Sequence, residues 1–243
     1  FFKQKTAYEV LFGDWSSDVC SSDLQNQGGK DRGGSAVAAA GNSNDTPRGL
    51  VAPHIDFARG GPCYAIAYES LAPGSPPDVA VILGTAHSFT NNFLTLCAKD
   101  FITPFGAARV DRGLAGDLIA SVGPSLVEDE FVHRGEHSVE FQAVWLMNLY
   151  GGAENMRVLP FLCGSLFPLI MDGRAPWEVA AYETAILAVK AALDRRREEG
   201  RRVLVLASAD LSHVGPRFGD DFTVSTPEAE KVRAYDLELL EMA

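Results

Sequence analysis

The chain has 243 residues, 47% of them hydrophobic, and a net charge of −11 at pH 7. That length suits one large α/β domain or two small ones with a real core. The acidic balance argues against nucleic acid, whose phosphates need a basic footprint, and against an anionic membrane surface; no apolar run approaches the ~18 residues of a membrane span.

Residues 1–48 are expected to stand outside the fold as a non-native or disordered leader. Phe1 to Leu24, FFKQKTAYEVLFGDWSSDVCSSDL, has no sustained period. It resembles the translated sequencing-adapter read-through found at the ends of assembled reading frames, with a disordered native tail as the alternative. It lacks the apolar core of about 7–15 residues that a signal peptide needs. Removing it takes away a net −2, so the remainder stays acidic. Gln25 to Arg48 is rich in Gly, Ala, Ser and Asn. It reads as a flexible linker or an out-of-frame remnant, with one helical turn at most over Ala36–Ala40.

From Gly49 strands and helices alternate, the pattern of an α/β fold. Gly49-Leu50-Val51-Ala52 is a short apolar strand. Pro53 drives the residue before it into extended geometry, so the strand exits at His54 with Asp56 two residues on. Gly60-Gly61 reads as a sharp turn ahead of a helix from Cys63 to Leu71. Asp78 to Gly84 is a continuous apolar run, as in a strand buried on both faces, and it empties into Thr85-Ala86-His87-Ser88. Phe93–Ala98 and Phe101–Pro104 look like two short strands joined at Lys99-Asp100. Arg112–Val122 is a short helix between Asp111 and the breaker Gly123-Pro124. Ser138–Leu149 carries a helical stripe of Val139, Ala143, Leu146 and Leu149, closed by Gly151-Gly152.

Arg157–Leu162 is a further strand, and its Pro160 suggests an edge or a bulge. Pro176–Glu199 is a helix with Val179, Tyr182, Ile186, Val189 and Leu193 on its apolar side and Gly200 just past its end. Its run Arg195-Arg196-Arg197 is answered by Glu198-Glu199 and reads as a solvated helix end. Arg202–Ala207 is another buried strand, running into Ser208-Ala209-Asp210-Leu211-Ser212-His213. Ser225-Thr226-Pro227-Glu228 opens a last helix through Val232, Tyr235, Leu239 and Leu240. With no cap in view at Met242-Ala243, the chain is expected to be a fragment.

Three apolar strands thus end in histidine-bearing loops, at His54, His87 and His213. Ligands of open α/β sheets bind at the carboxyl ends of strands, so these loops are the candidate site. One strand-end histidine alone reads as a hydrogen-bonded structural residue; three, with His137 in Gly135-Glu136-His137-Ser138, point to a shared site. His133 is the expected exception. Ser208 or Ser212 with Asp210 and His213 makes a poor hydrolase triad, because there is no G-x-S-x-G elbow and the residues are too close in sequence. Cys20 lies in the leader, and Cys63, Cys97 and Cys163 have no C-x-x-C spacing. All three are expected as small buried hydrophobes in a reducing cytoplasm.

In order along the chain, Ala52-Pro53-His54, Leu83-Gly84-Thr85-Ala86-His87, Glu136-His137-Ser138-Val139-Glu140 and Ala207-Ser208-Ala209-Asp210-Leu211-Ser212-His213 resemble the motifs of the Memo family. Its bacterial branch is called AmmeMemoRadiSam system protein B. The resemblance runs from about Gly49 to the end and implies one domain there. It implies a three-layer α/β/α sandwich around a central mixed or mostly parallel sheet, related to the LigB-type extradiol dioxygenases that hold non-haem iron. It makes His54 and His87 metal ligands, Asp210 and His213 the pocket acid and base, and His137 a further catalytic histidine of the pocket. Asp56, Glu136 and Ser88 are assigned to the substrate pocket. Two positions depart from the family pattern. Ser88 stands where a second histidine often follows His87, and Ile55-Asp56-Phe57 stands in place of an aromatic Gly-Tyr turn.

Neutral imidazoles suit iron, copper or zinc, and two histidines with a third anionic ligand leave positions for substrate and oxygen. In the family the third ligand is a cysteine near the carboxyl end. Within this chain Asp210, Glu136 or His213 is the alternative. Two functions follow. One is a metal-dependent oxidoreductase, dioxygenase-like, acting on a small molecule. The other is a non-catalytic ligand- or partner-binding module with a vestigial pocket. The resemblance also implies radical-SAM and AMMECR-type proteins as partners.

Overall fold

The computed structural model describes residues 47–72, 74–152 and 154–242. The expected leader lies outside them, apart from Pro47 and Arg48. The chain divides after Ser208 into two compact units, Phe1–Ser208 and Ala209–Ala243.

The first unit is built on a five-stranded sheet. Its strands are β1 (Gly49–Ala52), β2 (Val79–Thr85), β3 (Leu94–Leu96), β6 (Arg157–Cys163) and β7 (Val203–Ser208), in the order β1-β7-β2-β6-β3. The first four in that order run parallel, and β3 closes the edge antiparallel to β6. Strands β4 (Phe101–Thr103) and β5 (Gly106–Ala108) form a separate hairpin. Helices α1 (Phe57–Glu69) and α3 (Ser138–Leu149) pack on β1 and β2 and on each other, while α2 (Arg112–Val122) pairs with α5 (Ala180–Glu198), which lies against β7. The result is a three-layer α/β/α sandwich with a mostly parallel sheet. A sheet covered on both faces needs strands apolar on both faces, and Val79, Ala80, Val81 and Ile82 of β2 are all buried. Burying each of the valines and the isoleucine contributes about 1.5–3 kcal/mol.

Between α1 and α3 the contact is aromatic. Trp145 stacks on Tyr64 and on Tyr68, both at 5.4 Å between ring centroids, and Phe57 meets Phe141 at 4.6 Å. On the other layer Leu114, Ala115 and Leu118 of α2 and Ala185, Val189, Ala192 and Leu193 of α5 are buried.

Several elements depart from the sequence reading. Helix α1 begins at Phe57, not Cys63, and takes in Gly60-Gly61. Asp56 caps it, its Oδ1 accepting from the Arg59 N–H at 3.1 Å. Gly60 is there for space: a Cβ would stand 2.3 Å from Cγ2 of Ile55. Pro160 is neither at an edge nor in a bulge, since β6 lies between β2 and β3. Its carbonyl accepts from the Cys97 N–H, just beyond the last residue of β3. The N–H and C=O of one strand residue point the same way, so the donor that proline lacks falls where the β3 ladder has ended, and β2 loses nothing. Phe101–Thr103 pairs with Gly106–Ala108, not with β3; that short Gly-Ala strand carries no β-branched residue to announce it. The helix expected from Pro176 is split, because Val179 is extended between a 3-10 turn at Pro176–Glu178 and α5, and Ile186 is exposed while Ala185 is buried. Cys63 is exposed, against expectation, because it lies on the outer side of a helix that begins earlier; Cys97 is buried.

The second unit holds a loop, a 3-10 turn at Pro216–Phe218 and helix α6 (Thr226–Met242). Short α4 (Phe167–Met171) belongs to the first unit. None of the helices among the described residues is long and apolar enough to cross a membrane.

Candidate metal centre

Strand register brings the candidate residues together. Ala52 of β1 and Gly84 of β2 both pair with Ser208 of β7, so three strands end side by side. His54 and His87 leave the first two of these ends, which is where parallel sheets present ligand sites. The first turn of α3 docks on the same edge. The Ser138 hydroxyl donates to the Thr85 carbonyl at 2.9 Å, and this brings His137, the residue before the helix, over the strand ends.

Nε2 of His54 and Nε2 of His87 are 3.3 Å apart. The ring centroids of His54 and His87 are 5.0 Å apart, those of His87 and His137 4.9 Å, and those of His54 and His137 5.8 Å. One ring nitrogen from each of the three lies within 4.8 Å of the others. Two nitrogens bound at about 2.0–2.1 Å to one tetrahedral ion stand about 3.3 Å apart, so the His54–His87 spacing fits a shared metal. His54 is buried, whereas the side chains of His87 and His137 remain 49% and 42% exposed, leaving an open side to the cluster. The sequence reading had placed His137 in the pocket but outside the ligand set; the structure puts its ring beside both expected ligands.

Glu136 sits beneath this trio with its side chain 3% exposed. Its Oε2 accepts from the His87 backbone N–H at 2.8 Å, its Oε1 from the backbone N–H groups of His137 at 2.8 Å and Ser138 at 3.2 Å, and both oxygens lie 3.0 Å from Nδ1 of His87. Burial works against its charge, but the His87 N–H, the His87 ring and the Ser138 N–H outweigh it and hold the carboxyl below its ordinary value. An anion just ahead of α3 also matches the positive end of that helix. The other two residues assigned to the substrate pocket stand differently. Asp56 is engaged by Arg59 as the cap of α1, and Ser88 is exposed.

A buried polar network that the sequence reading missed supports the strand ends. The Gln142 amide donates to the Pro53 carbonyl and to the Ser208 hydroxyl, each at 2.7 Å, and accepts from the Tyr68 hydroxyl at 2.8 Å. Ser208 in turn donates to the Ser138 carbonyl at 2.6 Å. The available signal was Gln142 itself, a polar residue three positions from Val139 on the apolar stripe of α3.

Asp210 and His213 belong to the second unit. There Nδ1–H of His213 donates to the Leu211 carbonyl at 2.8 Å, its ring meets Phe218 edge-on, and its Nε2 is 3.6 Å from Oδ2 of Asp210, too far for a direct hydrogen bond. The backbone thus orients His213. The Ser212 hydroxyl donates to Asp236 at 2.6 Å.

Comparison with known proteins gives a consistent family. The profile of the family described as "Memo-like protein" matches residues 34–243, starting upstream of Gly49. A MEMO1 family protein of Methanococcoides burtonii is 34% identical over 169 residues, covering 70% of this chain and 56% of that protein. One from Desulfurococcus amylolyticus is 31% identical over 169 residues, with 69% and 54% covered. One from Aquifex aeolicus is 28% identical over 173 residues, with 71% and 41% covered. The chain spans about half the length of the curated relatives it matches.

Proposed function

The chain belongs to the Memo-like protein family, and from that premise we propose that it binds one transition-metal ion through His54, His87 and His137 and serves redox or dioxygenase-like chemistry on a small molecule. The observation that carries the reading is the convergence of three imidazole nitrogens at the carboxyl ends of β1 and β2. The metal proposed is non-haem iron, with copper or zinc as the alternatives, because a set of neutral imidazoles suits all three. Bound there, the ion would supply Lewis acidity or a redox couple. This chain's own residues do the rest: His54 holds the inner position, His87 and His137 frame the open side, and Phe141, 5.1 Å from the His137 ring, adds an apolar flank for an organic ligand. Radical-SAM and AMMECR-type proteins are the proposed partners.

Metal analysis of the purified protein, before and after anaerobic loading with Fe(II), tests the binding. One equivalent retained, and lost in His54→Ala and His87→Ala, is expected. No retained metal under either condition overturns the proposal. Oxygen uptake with catechols then tests the chemistry. Bound metal without turnover would make the chain a metal-binding module and remove the dioxygenase-like half of the reading.

A further inference from the structure

Five nitrogens gather around the two oxygens of Glu136. Three are backbone donors, from His87, His137 and Ser138, and cannot change role. The fourth is Nδ1 of His87, 3.0 Å from either oxygen, and the fifth is Nδ1 of His137, farther off at 3.3 Å from Oε1. Only an acceptor-only group satisfies such a set, so the site selects a carboxylate, and Nδ1 of His87 must carry the ring proton. A neutral His87 then has a bare Nε2, and that nitrogen lies 3.3 Å from Nε2 of His54. The same carboxylate ties two separate segments together: the loop leaving β2, which carries His87, and the first turn of α3, which follows His137. With its side chain 3% exposed, it has little surface to offer a substrate.

We infer that Glu136 is a positioning residue, not a pocket residue: it locks His87 in the Nδ1–H tautomer and clips the β2 exit to the start of α3, so that His87 and His137 face one centre together. This rests on reading the cluster as a metal site. A carboxylate behind a ligand histidine fixes its ring and raises its basicity, and removing such a partner costs 10–100-fold in metal affinity. Glu136→Gln is the informative change. It preserves shape, but its amide nitrogen meets either the His87 N–H or the His137 and Ser138 N–H groups, whichever way it is turned.

Two measurements test the inference. The first is the tautomer of His87 in the metal-free protein at about pH 8, read from long-range nitrogen–proton NMR, with the signal assigned by its loss in His87→Gln. A proton on Nδ1 in the parent chain is expected, with a shift toward the other tautomer in Glu136→Gln. A proton on Nε2 in the parent chain overturns the inference and needs no variant to fold. The second is titration with Co(II) as the probe. Binding 10–100-fold weaker in Glu136→Gln, partly recovered in Glu136→Asp, is expected. Unchanged affinity in Glu136→Gln overturns it. If the tautomer follows Glu136 as stated but the parent chain takes up no Co(II), the positioning role stands and the metal reading of the cluster falls instead.

Discussion

Gly84 and Ser138 meet with no room for a side chain between them: a Cβ on Gly84 would lie 2.6 Å from the Ser138 Oγ and 2.7 Å from Cγ2 of Val139. This contact lets the start of α3 settle on the end of β2, and it sets the distance between His137 and His87. Gly84→Ala must push the helix away, because the backbone N of Val139 is also only 3.2 Å from the new atom. Overpacking of this kind costs about 1–3 kcal/mol. The expected outcome is a lower denaturation midpoint together with weaker metal binding. A variant with parental stability and parental Co(II) affinity would mean that α3 is not fixed by this contact.

Gln142 holds the strand ends from within. Replacing it by leucine keeps the volume but takes the side-chain donor from the Pro53 carbonyl and the Ser208 hydroxyl and leaves the Tyr68 hydroxyl only its longer, 3.4 Å contact with the backbone carbonyl of residue 142. Each stranded buried polar group costs about 1–3 kcal/mol, so Gln142→Leu should lose roughly 3 kcal/mol in urea unfolding. A loss below about 1 kcal/mol would show that the network is dispensable.

The strands and helices with clear punctuation could be read from the sequence. Helices α2 and α3 fall on the expected residues because Asp111, Gly123-Pro124 and Gly151-Gly152 bracket them. The continuous apolar run of β2 announces a central strand for the same local reason. What stayed hidden depends on contacts distant in sequence. Gly60-Gly61 looks like a turn until Ile55 is seen folded against Gly60. Pro160 looks like an edge residue until β3 is found to stop one residue short of it. The pairing of His54 with His87 was expected from two similar strand ends. Joining His137 to them required the docking of α3, which no spacing encodes. The nitrogens gathered on Glu136 come from residues whose convergence only the fold creates.

The cysteines give a simple chemical contrast. Cys63 is exposed on α1, whereas burial pushes the Cys163 thiol up to about 11. At pH 8 a thiol so raised has roughly a hundredfold less reactive thiolate than one at the usual value. Brief alkylation of the native protein followed by peptide mapping should label Cys63 well ahead of Cys163 and of buried Cys97. Equal labelling of Cys63 and Cys163 would place Cys163 at the surface and contradict its packing in β6.

His133 makes acid destabilisation measurable. Its ring is buried, and its Nε2–H donates to the Thr95 carbonyl at 2.9 Å. Burial disfavours the imidazolium and lowers its pKa from the ordinary 6.5; the Thr95 carbonyl and the charges of Glu130 and Glu136 oppose that only in part. The unfolded chain therefore binds a proton here at higher pH than the folded one. Its contribution to stability is fully present above about pH 6.5 and is lost as pH falls through the depressed folded value. His133→Gln keeps an amide donor for Thr95 but cannot titrate. At pH 8 it should be less stable than the parent by about 1 kcal/mol, for an imperfect hydrogen bond. Below pH 6.5 the parent should lose stability faster than the variant, so the gap should narrow or reverse. Urea midpoints of both proteins at pH 8, 6.5 and 5 decide it: a gap that stays constant across the series would mean that His133 titrates alike in both states and that its burial carries no proton linkage.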